Sequence, residues 1–453
     1  MSGYAEYREV NLPWLKAVPA HWEMRRNKNI FTEQKEIVGE RSADYTLLSL
    51  TLNGIIPRDM DGGGKFPESF DKYKIVKNGD MAFCLFDIDE TPRTVGLSGY
   101  NGMLTGAYTI MRISNINARF IYYYYLALDN GKMLRPLYTG LRKTININTF
   151  QSTKVPVPPR SEQDQIVRFL DWKVSGINRL IGVRKKQVAE YEVLRKRIIL
   201  SSVTHGLNKA APVEMCEEQW IAEMPTHWSL LPIKRLFEIF SGATPQSGNS
   251  EYWNGDIVWI TPADFKTKDH YIYQGTKNLT DSGFSACSTS MIPPDSIVFS
   301  KRAPVGTVAI NKVDLCTNQG CLSCVPVEGV SSEFFYYAMS VCTEEFERRA
   351  AGTTFKEISL TAFGSFLMPV PPTDEQLEIV KYLEKTCGDI DLAIQNIQSQ
   401  IEALNELKFR IIADTVTGKI DVRGIEIPEY EFVEEMVDDD NSDCGEEAEE
   451  QED

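Results

Sequence analysis

The phrase "VPVPPRSEQDQIVRFLDW" at residues 155–172 returns as "MPVPPTDEQLEIVKYLEK" at 368–385. A chain that repeats itself at such length folds as copies of one scaffold. The repeat extends well beyond that phrase. "WLKAVPAHWEMRRNKNIF" at 14–31 matches "WIAEMPTHWSLLPIKRLF" at 220–237, so that Trp14, Pro19, His21, Trp22 and Phe31 meet Trp220, Pro225, His227, Trp228 and Phe237 at a constant shift of 206. Further along, "YYYY" at 122–125 meets "FYYA" at 335–338, Lys143 meets Lys356, and Glu162-Gln163 meets Glu375-Gln376, all shifted by 213. Between these anchors, 40–105 and 246–318 share little that can be aligned. The scaffold is duplicated and the middle of each copy has diverged. A length of 453 residues agrees with at least two domains.

After "PVPP" in each copy, Ser161 or Thr373 is placed to cap a helix whose first turn holds Glu162, or Asp374 and Glu375, where the helix dipole favours acid. A heptad seam then runs through Leu170, Val174, Ile177, Ile181, Val188, Tyr191 and Ile198. Its counterpart, 213 residues on, is Leu383, Cys387, Ile390, Ile394, Ile401, Leu404 and Ile411. Both seams carry a basic residue at the same position, Arg195 and Lys408. Helices of some 40 residues are about 60 Å long, and a small domain cannot bury such a stripe. The two are therefore expected to pack on each other, antiparallel if the repeats are related by a two-fold. Gly206 and Gly418 stand where C-cap glycines end helices.

Ahead of each helix, "DYTLLSL", "DIVWITP", "SIVFSKR" and "VGTVAI" read as strands, and "FIYYYYLALDN" and "EFFYYAMSVCTEEFERRA" as helices. The expected class is α+β: two mixed α/β domains separated by two long helices packed as an antiparallel coiled coil, with internal two-fold pseudo-symmetry. The expected boundaries are 1–157 for the first domain, 158–211 for the central helix and linker, 212–370 for the second domain, 371–425 for the C-terminal helix, and 426–453 for an acidic, disordered tail.

The formal net charge of −16 conceals the character of the body, because 426–453 hold fifteen acidic side chains and no Lys or Arg. The rest is nearly neutral, with 49 acidic against 48 basic residues. Residues 1–211 carry 31 Lys and Arg against 21 Asp and Glu, while 212–425 carry 17 against 28. If both domains bind nucleic acid, the second does so through a local patch or with a partner's help. The polar opening "MSGYAEYREV" lacks a signal-peptide pattern and no apolar run reaches membrane-spanning length, so a cytoplasmic protein is expected.

Catalytic signatures are missing. "DGGGKFPES" lacks phosphate-loop spacing, no Asp/Asn-Pro-Pro-Tyr/Phe tetrapeptide of the amino-methyltransferase kind occurs, and no Gly-x-Ser-x-Gly elbow is present. Pro294-Asp295 followed by Lys301 is only faintly nuclease-like. In "CTNQGCLSC", Cys316, Cys321 and Cys324 have no fourth partner at metal-ligand spacing and read as reduced structural thiols. His21 and His227, each flanked by Trp, read as packing residues rather than catalysts. Neither catalytic nor metal-ligating residues are assigned.

The doubled "PVPP…EQ…IV…L" helix, the "W…P.HW" openings, "YWNGDIVWITPADFK" and "CTNQG" together resemble the specificity subunit of type I restriction-modification enzymes, over residues 14 to about 423. The resemblance implies two target-recognition domains, each reading one half of a split, asymmetric DNA site, with the long helices setting the gap. It implies two methyltransferase subunits that bring S-adenosylmethionine, and two restriction and translocase subunits that use ATP and magnesium; this chain would bind no cofactor itself. The candidate DNA contacts are Arg142, Lys143, Lys301, Arg302 and Lys356, followed by Arg58, Lys65 and Lys266. Readings from other classes are an enzyme with an unrecognised site and a non-catalytic protein-interaction scaffold or anti-restriction decoy.

Overall fold

The structure, a computed structural model, describes residues 3–434 except 53, 59–66, 68, 139–142, 217, 219, 266–269, 303 and 353–355. Two compact units result: one takes the described residues up to Lys186 and those from Ile397 on, the other takes Gln187–Asn396. Both divisions fall inside the long helices Arg160–His205 and Thr373–Val416. Each unit thus joins a globular head, the first part of the helix that follows it, and the last part of the other helix.

The heads share a sheet that the sequences of their middles do not reveal. In the first unit, Phe31–Gln34, Thr109–Ile113, Met81–Phe83 and Val95–Leu97 lie side by side in that order, all antiparallel. In the second, Phe237–Ser241, Cys321–Pro326, Ile297–Ser300 and Val308–Asn311 repeat the order, and Tyr271–Ile272 adds a parallel edge. The surroundings differ. The first head carries the ribbons Leu48–Thr51 with Gly54–Pro57 and Lys74–Val76 with Gly102–Leu104, whereas the second carries a three-stranded sheet of Lys277–Leu279, Trp253–Ile260 and Leu315–Thr317.

The repeated phrase is explained by what it ties together. Its "VPV" half is a strand: Lys154–Val157 pairs with Glu23–Arg26, and Leu367–Val370 pairs with Ser229–Pro232. Its Glu then anchors the domain opening. Glu162, only 5% exposed, accepts from the Tyr4 hydroxyl at 2.6 Å, the Trp22 indole at 2.9 Å and His21 Nε2 at 2.8 Å. Burial and the neighbouring carboxylate push the Tyr4 pKa up, which keeps its proton in place for that bond. In the second unit Glu375 holds the Trp228 indole at 3.0 Å and His227 Nε2 at 2.9 Å. The Gln beside each Glu holds the tyrosine-rich helix. Gln163 accepts from the amide of Asn117, the N-cap of Ala118–Asn130, at 2.8 Å, and Gln376 accepts from that of Ser331, the N-cap of Ser332–Ser340, at 2.9 Å. Phe120, Tyr124 and Tyr125 fill the first core, and Phe334, Phe335 and Met339 fill the second.

Within each unit the helix segments run antiparallel. In the first, Ile166, Phe169 and Leu170 share a core with Ile412 and Val416, and the Lys408 ammonium lies 3.5 Å from Asn178 Oδ1. In the second, Ile199 and Val203 meet Ile379, Leu383 and Cys387, and Arg195 Nε lies 3.3 Å from Asp391 Oδ1. The two basic residues in the seams thus face the same position of the opposing helix, where one copy has Asn and the other Asp. Near the C-terminal ends the buried residues are Ile199 and Ile412, one past the expected Ile198 and Ile411, because there the helices pack on the head cores to which those two side chains belong.

Three expectations need correction. The central helix begins at Arg160, so Ser161 is not its cap; the carbonyl of Pro159 takes the amides of Glu162 and Gln163. Thr373 opens its helix, but its hydroxyl donates to the Gly329 carbonyl at 3.2 Å instead of accepting from the first turn. The segment expected to be disordered from 426 starts with a defined strap. Ile425 and Ile427 pack on the first core, Phe432 lies under the Arg119 guanidinium at 5.2 Å, Glu431 pairs with Arg179 at 3.3 Å, and Asn178 donates to the Val433 carbonyl at 3.2 Å. Ile425 and Ile427 are half-buried although average charge over the tail is high, while Phe432 stays 48% exposed and is held by its contact with Arg119. Residues 435–453 lie outside the described residues.

Candidate nucleic-acid interface

In each head, the chain leaving the third strand of the shared sheet meets the segment that precedes the closing strand. Phe86 bridges to Thr144 in the first head, and Arg302 bridges to Glu357 in the second. Thr144 and Glu357 are 213 residues apart, so this is one junction built twice. Amide bonds lock it: Asp87 to Lys143 at 2.8 Å and Ile145 to Leu85 at 2.7 Å in the first head, Lys301 to Gly320 and Ile358 to Lys301 at 3.0 Å in the second.

Four candidate contacts stand at these junctions. Lys143 pairs with Asp89 at 3.4 Å and with Glu90. The hydrogen bond to Glu90 holds the Lys143 pKa up, and a 2.6 Å bond from the Tyr138 hydroxyl, aided by Lys143, keeps Asp89 below the usual carboxylate range. In the second head the polarity is reversed, since the cations come from the strand and the acid from the facing segment. Lys301 Nζ lies 2.9 Å from Glu357 Oε1, and Arg302 Nη1 lies 4.0 Å from Glu357 Oε2. Lys356, exposed, is next in the chain to that carboxylate. Arg58 is half-buried at the end of a different ribbon, its amide bonded to the Leu47 carbonyl at 2.9 Å. Lys65, Arg142 and Lys266 lie outside the described residues.

Beside the second junction the "CTNQG" and "ITPADF" stretches converge. The Asn318 amide bonds to the Ile260 carbonyl at 2.9 Å, the Ala243 amide to the Thr317 carbonyl at 2.9 Å, and the Thr244 hydroxyl donates to Gln319. Asp264 Oδ2 accepts from the amide and hydroxyl of Thr261 at 2.8 and 2.7 Å, and its Oδ1 accepts from those of Thr276 at 2.7 and 2.5 Å. Burial alone would raise the Asp264 pKa, but these bonds outweigh it and leave the group below the ordinary range. Next to it, Tyr273 and Gln274 are exposed and line one concavity with Asp264. The bonds to Asp264 are satisfied within the protein, so what they fix is the loop on which the exposed Tyr273 and Gln274 stand. Sequence reading missed the partners Asp89, Glu90 and Glu357; the signal available was the 213 shift, which places Glu357 opposite Thr144.

Other candidates resolve into structure. Cys316, Cys321 and Cys324 are buried free thiols, and burial pushes Cys316 up to about 12 and raises the other two. Among the described residues no group of three His, Cys, Asp or Glu side chains is placed to hold a metal. Asp295 pairs with Lys312 at 2.6 Å, while Lys301 is engaged by Glu357. No described helix is long and apolar enough to cross a membrane.

Comparison with known proteins places the chain in context. The sequence model for the type I restriction modification DNA specificity domain matches residues 68–190 and 225–403. The type I restriction enzyme MjaIX specificity subunit of Methanocaldococcus jannaschii is 34% identical over 198 residues, 43% of this chain and 45% of that protein, so the alignment spans less than half of that relative. The putative type I restriction enzyme MjaX specificity subunit of the same organism is 26% identical over 439 residues, 92% of this chain and 98% of that one. A solved chain, from work on complex assembly and conformational transition of the type I R-M system, shares the fold with a TM-score of 0.62 at 16% identity, covering 89% of this chain and 99% of that chain.

Proposed function

Because the chain belongs to the type I restriction-modification DNA specificity family, we propose that it is the DNA sequence-recognition subunit of such a complex, reading a bipartite, asymmetric site and directing methyltransferase and restriction subunits to it. The carrying observation is a shared four-strand sheet set in unlike surroundings. One scaffold with two different faces suits two unlike half-sites. The junction cations Lys301 and Arg302 are of the kind that make charge-assisted bonds to phosphate, and the exposed Tyr273 and Gln274 beside Asp264 are candidates for contacts to bases.

In this reading the chain performs no catalysis. It assembles with two methyltransferase subunits that carry S-adenosylmethionine and two restriction and translocase subunits that use ATP and magnesium, and it works in the cytoplasm. The acidic balance of 212–425 makes duplex binding by the isolated chain weak and unselective until a methyltransferase closes around the DNA. The deciding experiment is methylation mapping across a genome in cells that hold the chain with its methyltransferase, against cells from which the chain is deleted. The expected result is a split motif that vanishes on deletion. Methylated sites left untouched would instead favour the scaffold reading.

A further inference from the structure

We propose that Glu357 occupies, in the unbound chain, the place of a DNA backbone phosphate, and that Lys301 and Arg302 pass from this carboxylate to the phosphate when duplex binds. The inference rests on the recognition reading above and adds to it a residue that keeps the two cations neutralised until DNA arrives. Two cations of neighbouring residues address separate oxygens of one carboxylate, Lys301 at Oε1 and Arg302 at Oε2. A phosphate presents oxygens to Lys and Arg in the same manner.

The Lys301 side chain is held more firmly than the carboxylate. Lys301 is 15% exposed, its amide is bonded to Gly320 and its carbonyl to Ile358; the backbone of Glu357 is likewise fixed, by two bonds to Ala351, but its side chain is 42% exposed, against 36% for Arg302. The carboxylate can therefore leave by rotation of its side chain alone. Stability depends little on the pair, since an ion pair whose acid is this exposed is screened by solvent. Two adjacent cations without an acid would nevertheless repel each other, and with the exposed Lys356 next to Glu357 they form a local basic site in a head where acid outnumbers base. The first head keeps a pair at the same junction with its polarity reversed, Lys143 against Asp89 and Glu90. What recurs across the repeat is a neutralised cation at this place, although the residues that build it have changed.

Phosphate contacts are indifferent to sequence, so the test needs no knowledge of the target. Binding of the chain, assembled with its methyltransferase, to a random-sequence duplex is measured across a salt series for the wild type, Glu357→Gln, and the double variant Lys301→Gln/Arg302→Gln. Glu357→Gln is expected to bind about two- to fivefold more tightly, as its competition is worth no more than an exposed ion pair. The double variant is expected to bind every duplex about tenfold or more weakly, with the slope of log K against log salt smaller by roughly 0.9 for each phosphate that is no longer neutralised. Weaker binding by Glu357→Gln, or an unchanged salt slope in the double variant, would overturn the inference. Arg302→Gln alone, at a more exposed position, serves if the double variant melts early. A wild-type complex that holds no duplex sinks the recognition reading and this inference together, whereas normal wild-type binding with unresponsive variants sinks this inference alone.

Discussion

Glu162 gathers a tyrosine, a histidine and a tryptophan from the start of the chain, and its near-complete burial makes each of those bonds costly to lose. Glu162→Ala is expected to destabilise the first unit by about 2–4 kcal/mol, because the buried Tyr4 hydroxyl and Trp22 indole lose their acceptor, while the half-exposed His21 can turn to water. Glu375 is more open and holds two donors, so Glu375→Ala should cost the second unit only about 1–2 kcal/mol. Hydrogen exchange, which reads the two units separately, measures both. His270 makes a pH test. It stacks between Tyr271 and Tyr336, with centroids 4.3 and 3.8 Å away, and burial followed by Lys312 and Arg195 lowers its pKa from 6.5 to about 4. A histidine depressed by folding contributes stability that is complete above its unfolded pKa and is lost as pH falls from about 6.5 towards 4. With solvent screening at a half-buried site, the loss should be about 1–2 kcal/mol. Urea unfolding at pH 7 and pH 5 should show the difference in the wild type and not in His270→Phe, which keeps the stack without the titration.

The ends of the long helices matter as much as their seams. Gly206 and Gly418 follow the last turns with φ of +70° and +75°, a region that L side chains rarely adopt. A Cβ on Gly418 would also stand 2.4 Å from Pro19 Cδ, in a rigid ring. A Cβ on Gly206 would meet Glu375 Oε1 at 2.8 Å, on a side chain able to shift. Gly418→Ala should therefore cost about 2–4 kcal/mol and Gly206→Ala about 1–2 kcal/mol, read as the order of their melting shifts. The strap is the other element-scale feature. A chain that stops at residue 424 loses the packing of Ile425 and Ile427 and the carbonyls that Gln165 and Asn178 engage, and it should unfold its first unit several degrees lower in a thermal scan.

At the scale of the molecule, the shared sheet order predicts that a head can be exchanged without disturbing the frame that holds it. Replacing residues 212–370 with the corresponding segment of a relative should change one half of the methylated motif and leave the other half intact, as read by methylation mapping of cells carrying the chimera. Loss of both halves would indicate that the heads do not read separately.

The duplication, both long helices, their C-terminal glycines and the family resemblance were legible in the sequence, because each rests on contiguous patterns: a heptad period, a repeated phrase, a constant shift. The common four-strand sheet was not legible, since backbone hydrogen bonds tolerate almost any apolar side chain and the middles diverged without breaking the ladder. Nor were the partners of Glu162, which lie about 140 to 160 residues away. Lys143, Lys301 and Arg302 could be named as cations from the sequence, but only the tertiary structure decided that each faces an acid, because charge pairing depends on distance in space rather than along the chain. The sequence by itself determined that there are two copies of one scaffold with two long helices; the folded chain decided which helix halves share a core and which charges meet.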